Sequence, residues 1–211
     1  MQIFSKFPCI VFLALAPCFP ALASILPQAA PNGLRIVDWT QIRAEYERHR
    51  HAAFPNANGG GLQARSIEQQ WLASFDGRGF SVAPDEGAWT WGLQLAGFPG
   101  AAKVSSNVNR IVYRRSADLD EWFLNGARGL EHGFTLRAPQ PPLRLNVRGG
   151  LRARATAAGI EFADATGTAR MKYTGLHAFD ADGRTLPARS GTRRRASLAG
   201  RRRCAPRSAS G

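Results

Sequence analysis

The residues best suited to chemistry in this chain are four histidines, a scatter of carboxylates and five tryptophans. Spacing limits what each can do. His49 and His51 are two apart on a helical stretch, so their rings diverge and cannot share a metal as an i, i+4 pair would. They read, with Arg48 and Arg50, as a solvated basic face. Glu131 and His132 are adjacent and have the right types for a general acid–base pair. Such a pair needs a nucleophile and a cleft, and neither has a sequence signature here. A structural turn, with His132 bonded to backbone, is the expected use, and lone His177 on a strand is read in the same way. Were the chain a hydrolase, Glu131 and His132 would be its weak catalytic candidates.

Glu68, Asp76, Asp85, Glu86, Asp118, Asp120, Glu121 and Glu131 supply enough acids for a glycosidase-like pair. That pair must lie about 5–9.5 Å apart, a distance that sequence spacing does not set. Asp180-Ala181-Asp182-Gly183 has the start of a calcium loop, but Thr185 and Leu186 stand where further ligands would follow. A hairpin turn is expected there, as at Asp76-Gly77 and Thr166-Gly167. No catalytic set, metal site or cofactor site is therefore assigned. Trp39, Trp71, Trp89, Trp91 and Trp122 would suit a carbohydrate-binding platform if exposed. Trp89 and Trp91 share a strand face with Leu93 and Leu95, which favours core packing.

The formal charge of +13 invites a nucleic-acid reading, but its distribution opposes one. Arg193, Arg194, Arg195, Arg201, Arg202, Arg203 and Arg207 sit in the last 22 residues. Subtracting these seven and Lys6 from +13 leaves +5 for residues 24–189. The arginine runs lack interleaved aromatics, so phosphate contact without specificity is all they imply. At the other end, Lys6 precedes an apolar run, Ile10 to Ala16, and Ala21-Leu22-Ala23 gives the small–x–small pattern of a leader cleaved in export. The run is too short to span a bilayer and is flanked by Pro8, Pro17 and Pro20. Cys18 stands near a lipid-acceptor position, but Pro17 occupies the place of the small residue that lipidation wants. Removing residues 1–23 leaves Cys204 as the one remaining cysteine, so the fold must hold by core burial without disulfides.

These residues must be positioned by the elements between leader and tail. Residues 24–37 read as an extended lead-in. A helix is expected from Asp38, capped by Asp38 with Gln41 reaching back and stapled by Val37 and Ile42. Trp39, Ile42, Tyr46 and Ala53 would form its inner face, with Arg43, Glu47, Arg48 and Arg50 in water. After Asn58-Gly59-Gly60-Gly61 the period changes to two. Trp71/Ala73/Phe75, Phe80/Val82, Trp89/Trp91/Leu93/Leu95, Ile111/Tyr113, Trp122/Leu124, Phe134/Leu136, Leu143/Leu145/Val147, Ile160/Phe162 and Met171/Tyr173 each alternate with less apolar neighbours. Turn residues separate them, which indicates antiparallel hairpins.

Several stretches resemble the N-terminal domain that precedes FG-GAP (integrin-α-like) and related β-propeller repeats in large secreted bacterial proteins. They run in order from the helix Tyr46 to Phe54 through Gln69-Gln70-Trp71, Phe75 to Phe80, and Trp89 to Leu93. Glu121 to Asn125, Arg128 to Thr135, Tyr173 to Leu176 and Asp180 to Arg184 follow. Arg128-Gly129-Leu130-Glu131-His132-Gly133-Phe134 is the most specific of them. The resemblance covers about residues 38–189 and carries no catalytic residues. It implies further β sequence and then repeats after Ser190, whereas 18 of the 22 residues from 190 to 211 are Arg, Ser, Ala or Gly. A frameshifted or truncated end is the expectation, with a disordered basic tail as the alternative.

The sequence thus points to a mostly β chain: an antiparallel β-sandwich-like domain with one N-terminal helix over residues 38–189, a signal peptide over 1–23 and a disordered tail over 190–211. The expected role is a non-catalytic extracytoplasmic cap or interaction module, with an extracellular hydrolase or a carbohydrate-binding module as alternatives. Its implied partners are downstream repeats or another surface protein, with no specific nucleic acid and no transmembrane span.

Overall fold

A computed structural model describes residues 2–3, 9–17, 29–57 and 59–192. The cleavage pattern Ala21–Ala23, Cys18, Cys204 and the arginine tail from Arg193 lie outside these residues. Among those described there is one helix, α1 (Ile36–His49), and fifteen strands. The strands are β1 (Gln2–Ile3), β2 (Cys9–Pro17), β3 (Ala53–Pro55), β4 (Leu62–Ser66), β5 (Trp71–Phe75), β6 (Gly79–Pro84) and β7 (Trp91–Leu95). Next come β8 (Lys103–Asn107), β9 (Arg110–Arg114), β10 (Leu119–Gly126), β11 (Gly129–Leu136), β12 (Leu143–Gly149), β13 (Arg152–Thr156), β14 (Gly159–Ala163) and β15 (Ala169–Asp180). The expectation of a mostly β chain with one helix holds. No helix among the described residues is long and apolar enough to cross a membrane.

Two antiparallel sheets form. One has the order β1-β12-β7-β6-β5-β4-β3, the other β13-β14-β15-β2-β11-β10-β9-β8. Their inner faces share one core. Phe75 and Phe80 of the first sheet meet Phe123 of the second at 5.1 and 5.2 Å between ring centroids, and Trp91 meets Phe162 at 4.5 Å. Period-two alternation supplies this core directly, because successive side chains on a strand point to opposite faces. Trp71, Ala73, Phe75, Phe80, Val82, Trp91, Leu93 and Leu95 are all buried where alternation puts them.

The phase of the alternation fails once. Trp122 and Leu124 were expected inside β10, but its inner face carries Leu119, Glu121, Phe123 and Asn125. Trp122 lies on the outer face, across its register partner Gly133, with the Arg110 guanidinium 4.2 Å from the ring centroid. A Cβ at Gly133 would sit 2.1 Å from Trp122 Cζ2, so only glycine lets the indole lie flat on the sheet. Val147 also departs from expectation. It is 41% exposed, although its register partner Leu93 is in the core.

The helix begins two residues before the expected cap. Arg35 is the N-cap and makes no side-chain capping bond. Asp38 is drawn instead into a two-pronged ion pair with Arg35, at 2.8 and 2.9 Å, which removes it as a cap. Val37 and Ile42 remain exposed, so no staple forms. The helix ends at His49, and Ala53 belongs to β3. Its less exposed stripe is Trp39, Arg43, Tyr46 and Arg50, at spacings of four, three and four. Two arginines thus hold positions that hydropathy assigns to water. A guanidinium on a long methylene stem permits this when its head group finds partners.

Candidate functional site

Two clusters bring titratable side chains together, and neither is the adjacent pair that the sequence suggests. Glu131 and His132 leave β11 on opposite faces, as neighbours on a strand must. Glu131 faces outward, 3.6 Å from Arg128. His132 faces the core, and its imidazole stacks on Phe123 at 4.7 Å with the planes 18° apart.

The carboxylate that serves His132 comes from the adjoining strand. Glu121 Oε1 lies 2.8 Å from His132 Nε2, and Tyr173 Oη of β15 lies 2.8 Å from His132 Nδ1. On the far side, Arg115 donates to Glu121 Oε2 through Nε at 2.7 Å and through a terminal nitrogen at 2.5 Å. The same guanidinium donates to the carbonyls of Gly77 and Arg78 in the β5–β6 turn, at 2.9 and 2.7 Å. Arg115, Glu121, His132 and Tyr173 therefore form one continuous chain that ties the two sheets together. Their side chains are essentially inaccessible: 1% for Arg115 and zero for Glu121 and His132. Burial, reinforced by the Glu121 charge, pushes the Tyr173 phenol well above its ordinary range. Tyr173 thus keeps its proton, and its hydroxyl and the Glu121 carboxylate engage the two ring nitrogens of His132. Acid, imidazole and hydroxyl stand in the order of a nucleophilic triad, but the hydroxyl has no solvent-facing side on which a substrate could meet it.

The second cluster sits where α1 ends. The Arg50 side chain, 3% exposed, donates to both oxygens of Glu47 at 2.9 Å and to Glu68 in the turn after β4. His51 Nε2 approaches Glu68 Oε1 at 3.6 Å, and the Asn125 amide donates to the His51 carbonyl at 3.0 Å and to the Arg65 carbonyl at 2.8 Å. The expected solvated basic face is therefore not what forms. His49 stays exposed beside Glu45, while His51 is buried. Burial lowers the His51 pKa, against the opposing pull of Glu68 and with help from Arg50. His51 Nδ1, Glu68 Oε2 and Arg50 Nε have no hydrogen-bond partner among the described residues.

The other singled-out residues close turns. Asp180 Oδ1 accepts the N–H groups of Asp182 and Arg184, and Asp182 pairs with Arg184 at 3.1 Å. Asp76 Oδ1 accepts from Arg78 and Gly79, while Oδ2 accepts from Arg148 at 2.8 Å. Asp164 does the same with Thr166 and Thr168; hydrogen bonds from Thr166 and then Arg170 lower its pKa to about 2. His177 is exposed on β15. Among the described residues no group of three His, Cys, Asp or Glu side chains is placed to hold a metal ion. Of the tryptophans, Trp39, Trp71, Trp91 and Trp122 are buried and Trp89 is partly buried against the core.

Sequence reasoning missed Arg115, placed Tyr173 only as a residue of an alternating strand, and counted Glu121 among the bulk acids. A signal for two members was present. Glu121 between Leu119 and Phe123, and His132 between Leu130 and Phe134, are polar residues at inward phases of neighbouring strands. No family model, curated protein or solved structure matches the chain.

Proposed function

We propose that this chain is an exported, non-catalytic module: a β-sandwich-like domain that serves as a cap or interaction unit beside a larger repeat-bearing surface or secreted protein. The observation that supports it best is the burial of the Arg115–Glu121–His132–Tyr173 chain. The most specific stretch of the resemblance, Arg128 to Phe134, lies in β11 from Gly129 onward, and its residues have architectural uses. His132 joins Glu121 of β10 to Tyr173 of β15, Gly133 makes room for Trp122, and Phe134 fills the core. A stretch spent on packing leaves its surface free to be read by a neighbour rather than to turn over a substrate. The repeats implied by the resemblance are the natural neighbour, since repeat arrays need a folded cap on an exposed end.

Fractionation of cells producing the tagged chain, with N-terminal sequencing of the product, tests the reading. The expected product starts at Ser24 and lies outside the cytoplasm. A cytoplasmic product beginning at Met1 overturns export. Hydrolysis of an extracellular polymer that is abolished by Glu131→Gln, with folding intact, overturns the non-catalytic part. A carbohydrate platform is not preferred, because four of the five tryptophans are buried and Trp89 is partly buried against the core.

A further inference from the structure

One segment has two incompatible uses. Cys9–Pro17 holds the apolar run of the expected leader, and it is also β2, an interior strand of the eight-stranded sheet. It pairs antiparallel with β11 over seven positions, from Leu130↔Leu15 to Leu136↔Cys9. On its other side it pairs antiparallel with β15 over eight positions, from Met171↔Pro17 to Asp180↔Cys9, with a bulge between Thr174 and His177. Cleavage after Ala23 would remove this strand. It would split the sheet into β13-β14-β15 and β11-β10-β9-β8 and leave two facing rows of backbone N–H and C=O groups unpaired.

Such rows inside a sheet are more costly than an ordinary edge. They flank the shared core on both sides, and each unpaired buried group costs about 1–3 kcal/mol. The two halves would still be aligned, because Tyr173 on β15 reaches His132 on β11 across the full width of the intervening strand. The rest of the molecule thus holds the gap at the width of one strand.

Resting on the proposed export, we propose that the space between β11 and β15 is a strand-acceptor slot: once residues 1–23 are removed, an extended, uncharged, apolar strand from another polypeptide takes the place of Cys9–Pro17. The occupant's chemistry follows from the slot. It runs antiparallel to both neighbours, spans at least seven residues, and has no charge or interior proline, like the Cys-Ile-Val-Phe-Leu-Ala-Leu-Ala segment that fills it in the unprocessed chain. Main-chain hydrogen bonds on two sides would supply the affinity, as in β-strand addition. The outer edges of the sheet are poorer sites. β13 presents Arg152 and Arg154 and β8 presents Lys103, charges that blunt an edge against pairing.

The test uses the unprocessed full chain with a protease site placed in residues 24–28. Cut while folded, it is mixed with a fluorescent peptide of the Cys9–Pro17 sequence carrying Cys9→Ser. The labelled peptide is expected to displace the resident strand and remain bound through gel filtration. A Leu13→Pro peptide, which lacks a ladder N–H, is expected to bind at least about 100-fold more weakly. Failure of the cut chain to take up peptide overturns the slot. Should the cut chain aggregate, hydrogen exchange on the uncut Leu13→Pro chain decides. Amides of 130–136 and 171–180 are expected to exchange about 100-fold faster, while those of 71–75 and 91–95 stay protected. Equal exchange at both places overturns the slot, and so does loss of protection throughout. A product that keeps Met1 in the cell overturns export while leaving peptide uptake as measured, so the two failures are told apart.

Discussion

Two clusters in this molecule use the same ingredients, one arginine, one or two glutamates and one histidine, and reach different ends. In the interior, Arg115, Glu121, His132 and Tyr173 meet end to end, and the guanidinium also caps two turn carbonyls. At the end of α1, Arg50, Glu68 and His51 are nearly as buried, but three of their polar atoms find no partner among the described residues. Three strands supply Glu121, His132 and Tyr173 at fixed register, and Arg115 follows directly on a fourth. The second depends on a helix terminus and a turn, where spacing is not quantised by a ladder. A fully paired buried network fixes one arrangement, whereas a partly paired one remains a place of low local stability.

The largest expected effect comes from breaking the interior network. Arg115→Met leaves the Glu121 carboxylate buried without its countercharge and should cost about 3–5 kcal/mol, read as a shift in denaturant midpoint at constant slope. Arg50→Met should cost less, about 1–3 kcal/mol, because Glu47 is 41% exposed and returns to water, while the buried Glu68 still has His51 3.6 Å away. Equal costs for the two would erase the distinction drawn between the clusters.

Gly133→Ala comes next. Its added methyl collides with the Trp122 ring, so the indole must leave the sheet and the Arg110 contact with it. A loss of about 1–3 kcal/mol with a red shift in tryptophan emission is expected, and unchanged emission would mean that Trp122 does not lie over Gly133.

Tyr173→Phe should cost about 1–2 kcal/mol by stranding His132 Nδ1. A variant as stable as the parent would show that the hydroxyl is not the link across β2.

The smallest effect is a pH dependence confined to the second cluster. His51 has a folded pKa below its unfolded value of about 6.5, so between the two the unfolded chain binds more protons. Its contribution to stability is complete above about pH 6.5 and is lost as pH falls through that value toward the folded pKa. His51→Gln should flatten the melting temperature between pH 7.5 and 5. A parent with no slope in that window would place His51 in water.

Much of the fold was legible because strand alternation is a strict period of two. Trp71/Ala73/Phe75 and Trp91/Leu93/Leu95 announced the core, and Asp76, Asp164 and Asp180 announced turns that their carboxylates do close. The misreadings share one cause. Trp122 looked like core and Glu121 like surface, since hydropathy ranks residues singly while burial depends on what faces them. Indole fits outside because residue 133 is a glycine on the adjacent strand, and a carboxylate fits inside because Arg115 waits there. The same holds for Arg43 and Arg50, which lie on the helix face that Ile42 was expected to occupy.

By itself the sequence determined the secondary-structure type, the turn positions and the identity of the apolar core, all of which follow from local periodicity and backbone preference. Tertiary structure alone decided which acid serves His132, which face of β10 looks inward, and that residues 9–17 lie between β11 and β15. Those are pairings between positions up to 171 residues apart, as Asp180 is from Cys9. No local pattern encodes a partner across such a distance. Register and burial choose it when the chain closes on itself.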